Sequence, residues 1–190
     1  YEITTRLVGS EMCIRDSEKA GETIVDYLIE HGHTKIAEIG ANLELSQTAR
    51  LRHNGYLNSL KKHGITPDER YYERARFSYD SAYRAMKKLL EKDIEITAVY
   101  AISDVMAIGA LRAILDKGLR VPEDISITGF DGSTLAEYYN PKIVSIRQPH
   151  KDMAARSVEL LFNMIDLHKG SCHEIIPFEL TEGESVARID

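Results

Sequence analysis

Four times between residues 35 and 139 a short apolar run is followed by a segment of helical period. Lys35–Gly40 (KIAEIG) precedes Ser46–His63, where Leu51, Tyr56, Leu57 and Leu60 recur at helical spacing. Tyr71–Phe77 precedes Ser81–Lys92, with Ala82, Ala85, Met86, Leu89 and Leu90 on one face. Thr97–Ile102 (TAVYAI) precedes Asp104–Lys117, and residues 125–130 precede a short helical stretch ending at Tyr139. Strands that alternate with helices pair in parallel, because only a long crossover returns the chain to the same end of a sheet. The expected fold class is α/β, a parallel sheet flanked by helices on both faces.

A helix is predicted before this series, from Glu18 to Glu30, stopped at His31-Gly32-His33. After it come a strand at Ile143–Ile146, an amphipathic helix from about Lys151 to Leu167 closed by Gly170, and a last strand near Ile175–Leu180. Ala154, Val158, Leu161, Phe162 and Ile165 form one apolar stripe on that helix. Residues 1–17 show no β–α period. The string VGSEMCIRDS resembles a translated sequencing adapter, so residues 1–17 are expected to be an artefact or disordered.

Function classes narrow on composition. No apolar run approaches the ~20 residues of a membrane span. Cys13 and Cys172 are the two cysteines and form no CxxC, which points away from a disulfide framework or zinc site and suits a reducing cytoplasm. A net charge of −6 argues against this segment itself gripping a polyanion. His31 and His33 could chelate a metal but lack a third ligand in register, and no metal or cofactor is expected. No Ser-His-Asp, P-loop or GxGxxG pattern supports catalysis.

The stretch Val121-Pro-Glu-Asp-Ile-Ser-Ile-Thr-Gly-Phe-Asp131 reads as a turn, a buried strand and an acid delivered at the strand's C-terminal end. That edge is where open α/β sheets hold ligands. Asp131 is therefore either a ligand-binding carboxylate or a loop acid capping the next turn.

Several segments together resemble the C-terminal core of LacI/GalR-type transcriptional regulators. They are AGETIVDYLIEHGHTKIAEIG (20–40), Arg52-x-x-Gly55-Tyr56, TAVYAISDVMAIGALRAILDKGLRVPEDISITGFD (97–131) and Pro141-x-x-x-Ser145-Ile146-Arg147-Gln148-Pro149. The resemblance implies one lobe of a periplasmic-binding-protein-like core, with a crossover helix from a second, mostly missing lobe. Residues 18–148 would be the C-terminal lobe, 149–178 the crossover segment and helix, and 179–190 a return segment. With its lobe missing, the apolar stripe of the crossover helix should be exposed or badly packed, unless it folds back on the remaining lobe.

The resemblance also assigns residues. Arg52 would contact an effector through its planar fork of donors; otherwise it is a surface helix arginine beside Arg50. Asp131 would accept hydrogen bonds from ligand hydroxyls or amines. Ser103 and Asp104 match a pair usually reading Asn-Asp; Asp104 would contact ligand or cap the helix that begins there, and the Ser103 hydroxyl reaches less far than an amide. Phe77 would stack on the ligand's flat face, or is a strand-end core residue. Thr48 is a further cleft-wall candidate. Gly132 and Gly183 stand where the family often has Asp or Asn and Arg respectively.

The function implied is that of a repressor core that binds a small effector in an interlobe cleft. A sugar or glycoside fits best and a purine is possible. Operator DNA would be bound by an N-terminal helix-turn-helix domain absent from these residues, and a homodimer would use helix 104–117 and the region of Tyr138. A sugar-binding protein feeding a transporter shares the fold and is the alternative, and a doubly wound hydrolase is a third class. No enzyme activity and no membrane partner are expected, and the location is expected to be cytoplasmic.

Overall fold

A computed structural model describes residues 8–167 and 176–189. Gly170 and Cys172, and the side chains of Cys13, Leu161 and Ile165, lie outside the described residues. In chain order the elements are α1 (Val8–Glu30), β1 (Ile36–Gly40), α2 (Gln47–Lys62), β2 (Tyr72–Arg74), α3 (Tyr79–Glu91), β3 (Ala98–Ala101), α4 (Asp104–Asp116), β4 (Ser126–Thr128), α5 (Thr134–Tyr138), β5 (Ile146–Arg147), α6 (His150–Leu167) and β6 (Glu179–Leu180). A 3-10 turn at Glu69–Tyr71 leads into β2.

Strands β2, β1, β3 and β4 form one parallel sheet in that order. Every residue of β1, β3 and β4 is buried, as a sheet covered on both faces requires. Helices α1 and α2 pack together on one face, and α3 with α4 on the other. The chain changes direction across the sheet between β1 and β3, so the loops leaving these two strands diverge there.

Serine starts the helices. Ser46, Ser78, Ser103 and Ser133 each accept a hydrogen bond from a backbone N–H in the first turn of α2, α3, α4 and α5. Each satisfies a donor that the helix itself leaves unpaired. The cap of α4 is therefore Ser103 rather than Asp104, which becomes that helix's first residue. The stops expected at Gly32, Gly64 and Gly118 all fall at positive φ.

Two elements differ from expectation. α1 begins at Val8 rather than near Glu18, so part of the segment expected to be artefactual or disordered is helical, and Ser17 is buried. A helix seated by its packed portion extends at little further cost, because nucleation is its expensive step. The strand expected at 143–146 is split. Val144 and Arg147 lie parallel to β4 by single bridges to Thr128 and Asp131, while Ile146 and Arg147 pair antiparallel with β6.

The segment after β6 runs back along the sheet. Thr181 N donates to Ser145 O at 2.8 Å and Ile127 N donates to Ser185 O at 2.8 Å. Ser185 Oγ donates to Ile127 O at 2.6 Å and accepts from Val144 N at 2.9 Å. Ala187 O meets His33 Nε2 at 3.0 Å, and Ile189 N reaches His31 O at 2.9 Å. Gly183 fits here because a Cβ would come within 2.7 Å of Lys142 O and Val144 N. On α6, Ala154 is exposed, Val158 is 53% exposed and Phe162 is 59% exposed, so the described part of the predicted stripe faces outward.

Candidate ligand-binding site

Arg52 lies on α2 with its side chain buried against the ends of β3 and β4. Its Nη1 donates to Ile102 O, and its Nη2 donates to Asp131 Oδ1 at 3.2 Å. The guanidinium carbon sits 3.6 Å above the centre of the Phe130 ring. Cation–π contact, a strand-end carbonyl and a carboxylate thus fix one plane for the fork. Arg52 is not the surface arginine that its neighbour Arg50 suggested.

Asp131 holds φ 109°, a backbone conformation that residues with a Cβ rarely adopt. Hydrogen bonds on both sides impose it. Asp131 N donates to Ile146 O at 2.9 Å, and Gly132 N donates to Ser145 Oγ at 3.1 Å. Ser133 N donates to Asp104 Oδ2 at 2.6 Å, while Ser145 Oγ donates to Asp104 Oδ1 at 2.6 Å. Asp104 N in turn donates to Phe130 O at 2.7 Å. Asp104 is thus the buried hub of the Asp131 loop, with both carboxylate oxygens engaged. Gly129 permits this, since a Cβ there would lie 2.3 Å from Asp104 Oδ1.

Electrostatics separate the two acids. Burial raises the Asp104 carboxyl above its ordinary range, and the hydrogen bonds from Ser145 and Ser133 oppose that rise. Burial raises Asp131 as well; the Arg52 charge opposes it, the Asp104 charge adds to it, and His150 opposes it. The Asp131 side chain is still 37% exposed, and among the described residues its Oδ2 receives no hydrogen bond. A half-open carboxylate beside a fixed guanidinium is suited to a ligand bearing adjacent hydroxyls.

The other candidates are distributed around this pair. Ser103 is buried, with its hydroxyl occupied by the α4 cap. Phe77 is 50% exposed and lines an open hollow with Asn42, Leu45, Ser46 and Arg74, a group that includes neither Arg52 nor Asp131. Thr48 is half-buried in the first turn of α2. Residues that pattern reading passed over are Ser133 and Ser145, which shape the loop, and His150, whose charge acts on Asp131. Polar residues between periodic segments leave no hydrophobic signature, although Ser145 falls within the motif ending at Pro149. His31 and His33 are structural: His31 Nδ1 meets Tyr27 O at 2.8 Å, and His33 bridges Thr97 and Ala187. Among the described residues no three His, Cys, Asp or Glu side chains gather for a metal, and no helix is long and apolar enough to cross a membrane.

A parallel sheet covered by helices, with polar side chains gathered at its strand ends, is the arrangement in which open α/β proteins hold ligands. The family model for the periplasmic binding protein-like domain matches residues 25–186. The HTH-type transcriptional regulator MalR of Clostridium butyricum is 40% identical over 174 residues, covering 92% of this chain and 52% of its own length. The HTH-type transcriptional repressor PurR of Vibrio atlanticus is 34% identical over 171 residues, covering 90% and 50% respectively. A solved complex of the transcriptional regulator CelR with cellobiose superposes with a TM-score of 0.84 at 33% identity, covering 90% of this chain and 52% of that one. The chain belongs to the periplasmic binding protein-like family, as the effector-binding core found in LacI/GalR-type regulators. It spans about half the length of the curated relatives it matches.

Proposed function

We propose that this chain is the sensing part of a sugar-responsive transcriptional repressor. A sugar or glycoside occupies a cleft whose near wall is the strand-end surface of residues 18–148. Residues 149–178 belong with the facing lobe, and 179–190 return to the near one. Ligand favours one arrangement of the lobes, and that arrangement sets the affinity of a separate N-terminal helix-turn-helix domain for operator DNA. The ligand shifts the DNA equilibrium only by its differential affinity for the two arrangements. The whole protein acts as a cytoplasmic homodimer and carries out no chemical step.

The observation that carries this reading is the Arg52–Asp131 pair, fixed over Phe130 and half-open to solvent. The outward faces of Val158 and Phe162 on α6 support a second lobe beyond it, and exposed Leu115, Leu135 and Tyr138 support a dimer surface along α4 and α5. The relatives reported above are transcriptional regulators, which favours this reading over a transporter's sugar-binding protein.

The test is a thermal-shift screen of the core completed with its facing lobe, using cellobiose, maltose and other sugars. A sugar at 100 times its Kd should add about 2.7 kcal/mol of apparent stability. Arg52→Ala and Asp131→Asn should each abolish that gain. If both variants kept the full shift, the cleft assignment would be wrong.

A further inference from the structure

The edge of the sheet at β2 carries a second hollow, lined by neither Arg52 nor Asp131. It holds about 600 Å3 between α2, the connection that leaves α2, and β2 itself. Leu43, Leu57 and Pro67 give it apolar wall. Tyr56 and Tyr72 also line it, and they offer ring surface rather than hydroxyls. The Tyr56 hydroxyl donates to Ile36 O at 2.9 Å, and the Tyr72 hydroxyl donates to Ala41 O at 2.7 Å. Gly40 makes room for the Tyr72 ring, since a Cβ there would come within 2.5 Å of it.

One polar group is built into this wall from behind. Glu38, at the middle of β1, is fully buried, and its Oε2 lies 2.6 Å from His53 Nδ1 on α2. A carboxylate inside a covered sheet is costly unless it is paired. The pairing orients the imidazole: with Nδ1 committed to Glu38, the other ring nitrogen is turned away from the sheet. His53 lines the hollow, and its Nε2 has no hydrogen-bond partner among the described residues and keeps solvent access. The Tyr72 ring meets the imidazole edge-on with centroids 5.2 Å apart, and the Tyr56 ring stacks at 6.2 Å. Burial alone would lower His53, but the Glu38 hydrogen bond and charge outweigh it and raise the imidazole, which favours a proton on Nε2 as well.

Charges at the mouth select the ligand. Lys61 is exposed and makes no ion pair among the described residues. Asp68 is spent on Arg70, accepting from its backbone N at 2.9 Å, its Nε at 2.9 Å and its Nη2 at 2.7 Å. Glu69, the other acid of the wall, is exposed and screened by water. A sugar would leave hydroxyls unpaired against Leu43, Leu57 and Pro67. A cation would meet Lys61 and the imidazole N–H. We propose that this hollow is a second small-molecule site, which takes a monocyclic aromatic acid. The ring of that acid lies among Tyr56, Tyr72 and Leu57, and its carboxylate accepts from His53 Nε2 and faces Lys61. Glu38 is the positioning residue for His53. The walls all fall within residues 43–72, so the site stands apart from the effector reading.

The test is titration of the whole chain with benzoate, phenylacetate and cinnamate, followed by NMR of the His53 ring and the Leu57 methyls. The expected result is saturable shifts at both residues and magnetisation transfer from the ligand's ring protons to Leu57. Benzyl alcohol, which lacks the charge, should bind about tenfold more weakly than benzoate. Lys61→Glu, at an exposed position, should weaken the acids about fivefold. Leu57→Trp, which fills the hollow without touching the Glu38–His53 pair, should abolish binding. Glu38→Gln should alter the His53 ring nitrogen shifts and weaken the acids more than benzyl alcohol, a split that a merely structural loss would not produce. Absence of saturable shifts with all three acids, benzyl alcohol binding as tightly as benzoate, or full binding by Leu57→Trp would each overturn the proposal. So would shifts centred on Arg52 and Asp131, which would place the acids in the cleft instead. Failure to bind any sugar would sink the effector reading and leave these signals as decisive as before.

Discussion

Asp131 has its reactive-looking geometry because other residues force it. Its left-handed backbone is paid for by hydrogen bonds that converge from Ile146, Ser145 and Asp104. Asp104 is the centre of that set, since it accepts from both the Ser133 amide and the Ser145 hydroxyl. Asp104→Asn keeps the shape but turns an NH2 group toward one of those two donors. Such a mismatch at a buried polar site costs about 1–3 kcal/mol. The variant should therefore show a lower urea midpoint at unchanged slope, and weaker ligand-induced stabilisation. A native midpoint would show that the loop holds Asp131 without this hub. The same residue shows what a sequence conceals. A carboxylate at a helix start reads equally well as a cap or a ligand contact, and only the folded loop reveals that Ser103 takes the cap while both Asp104 oxygens accept from Ser133 and Ser145.

At the scale of elements, the α1–α2 and α3–α4 layers depend on close backbone approach. A Cβ on Gly55 would meet Glu18 O at 2.3 Å, and one on Gly109 would meet Tyr79 O at 2.2 Å. Alanine improves intrinsic helix propensity by about 1 kcal/mol, yet overpacking of this kind costs about 1–3 kcal/mol. Gly55→Ala should be net destabilising in chemical unfolding, and a gain in stability would mean the helices can slide apart freely. Helices and central strands were legible because apolar residues repeat at 3.6 or fill buried runs. The 143–146 strand was legible only as an apolar run, because its pairing is shared between β4 and β6. Glu38 escaped notice for a related reason: in KIAEIG a single acid reads as the solvent side of a strand, and its partner His53 lies on the next helix. Arg52 and Asp131 were legible as candidates through the family motifs, but their mutual ion pair was not, since 79 positions separate them.

For the whole molecule, the exposed face of α6 is a liability as well as a clue. Phe162 and Val158 lie on one face of a helix whose described neighbours do not cover them. Val158→Lys with Phe162→Glu should leave the melting temperature nearly unchanged and reduce self-association in light scattering. A large loss of stability would instead mean that this face is packed in solution. The segment from Thr181 to Ile189 has a different consequence. It satisfies backbone and side-chain groups on β4, at Val144 and at the end of α1, which precede it by many tens of residues. A nascent chain leaving the ribosome therefore exposes an unfinished sheet margin until that strap emerges. During that interval β4 is a template for pairing with another chain, and it is there that a chaperone would have to act.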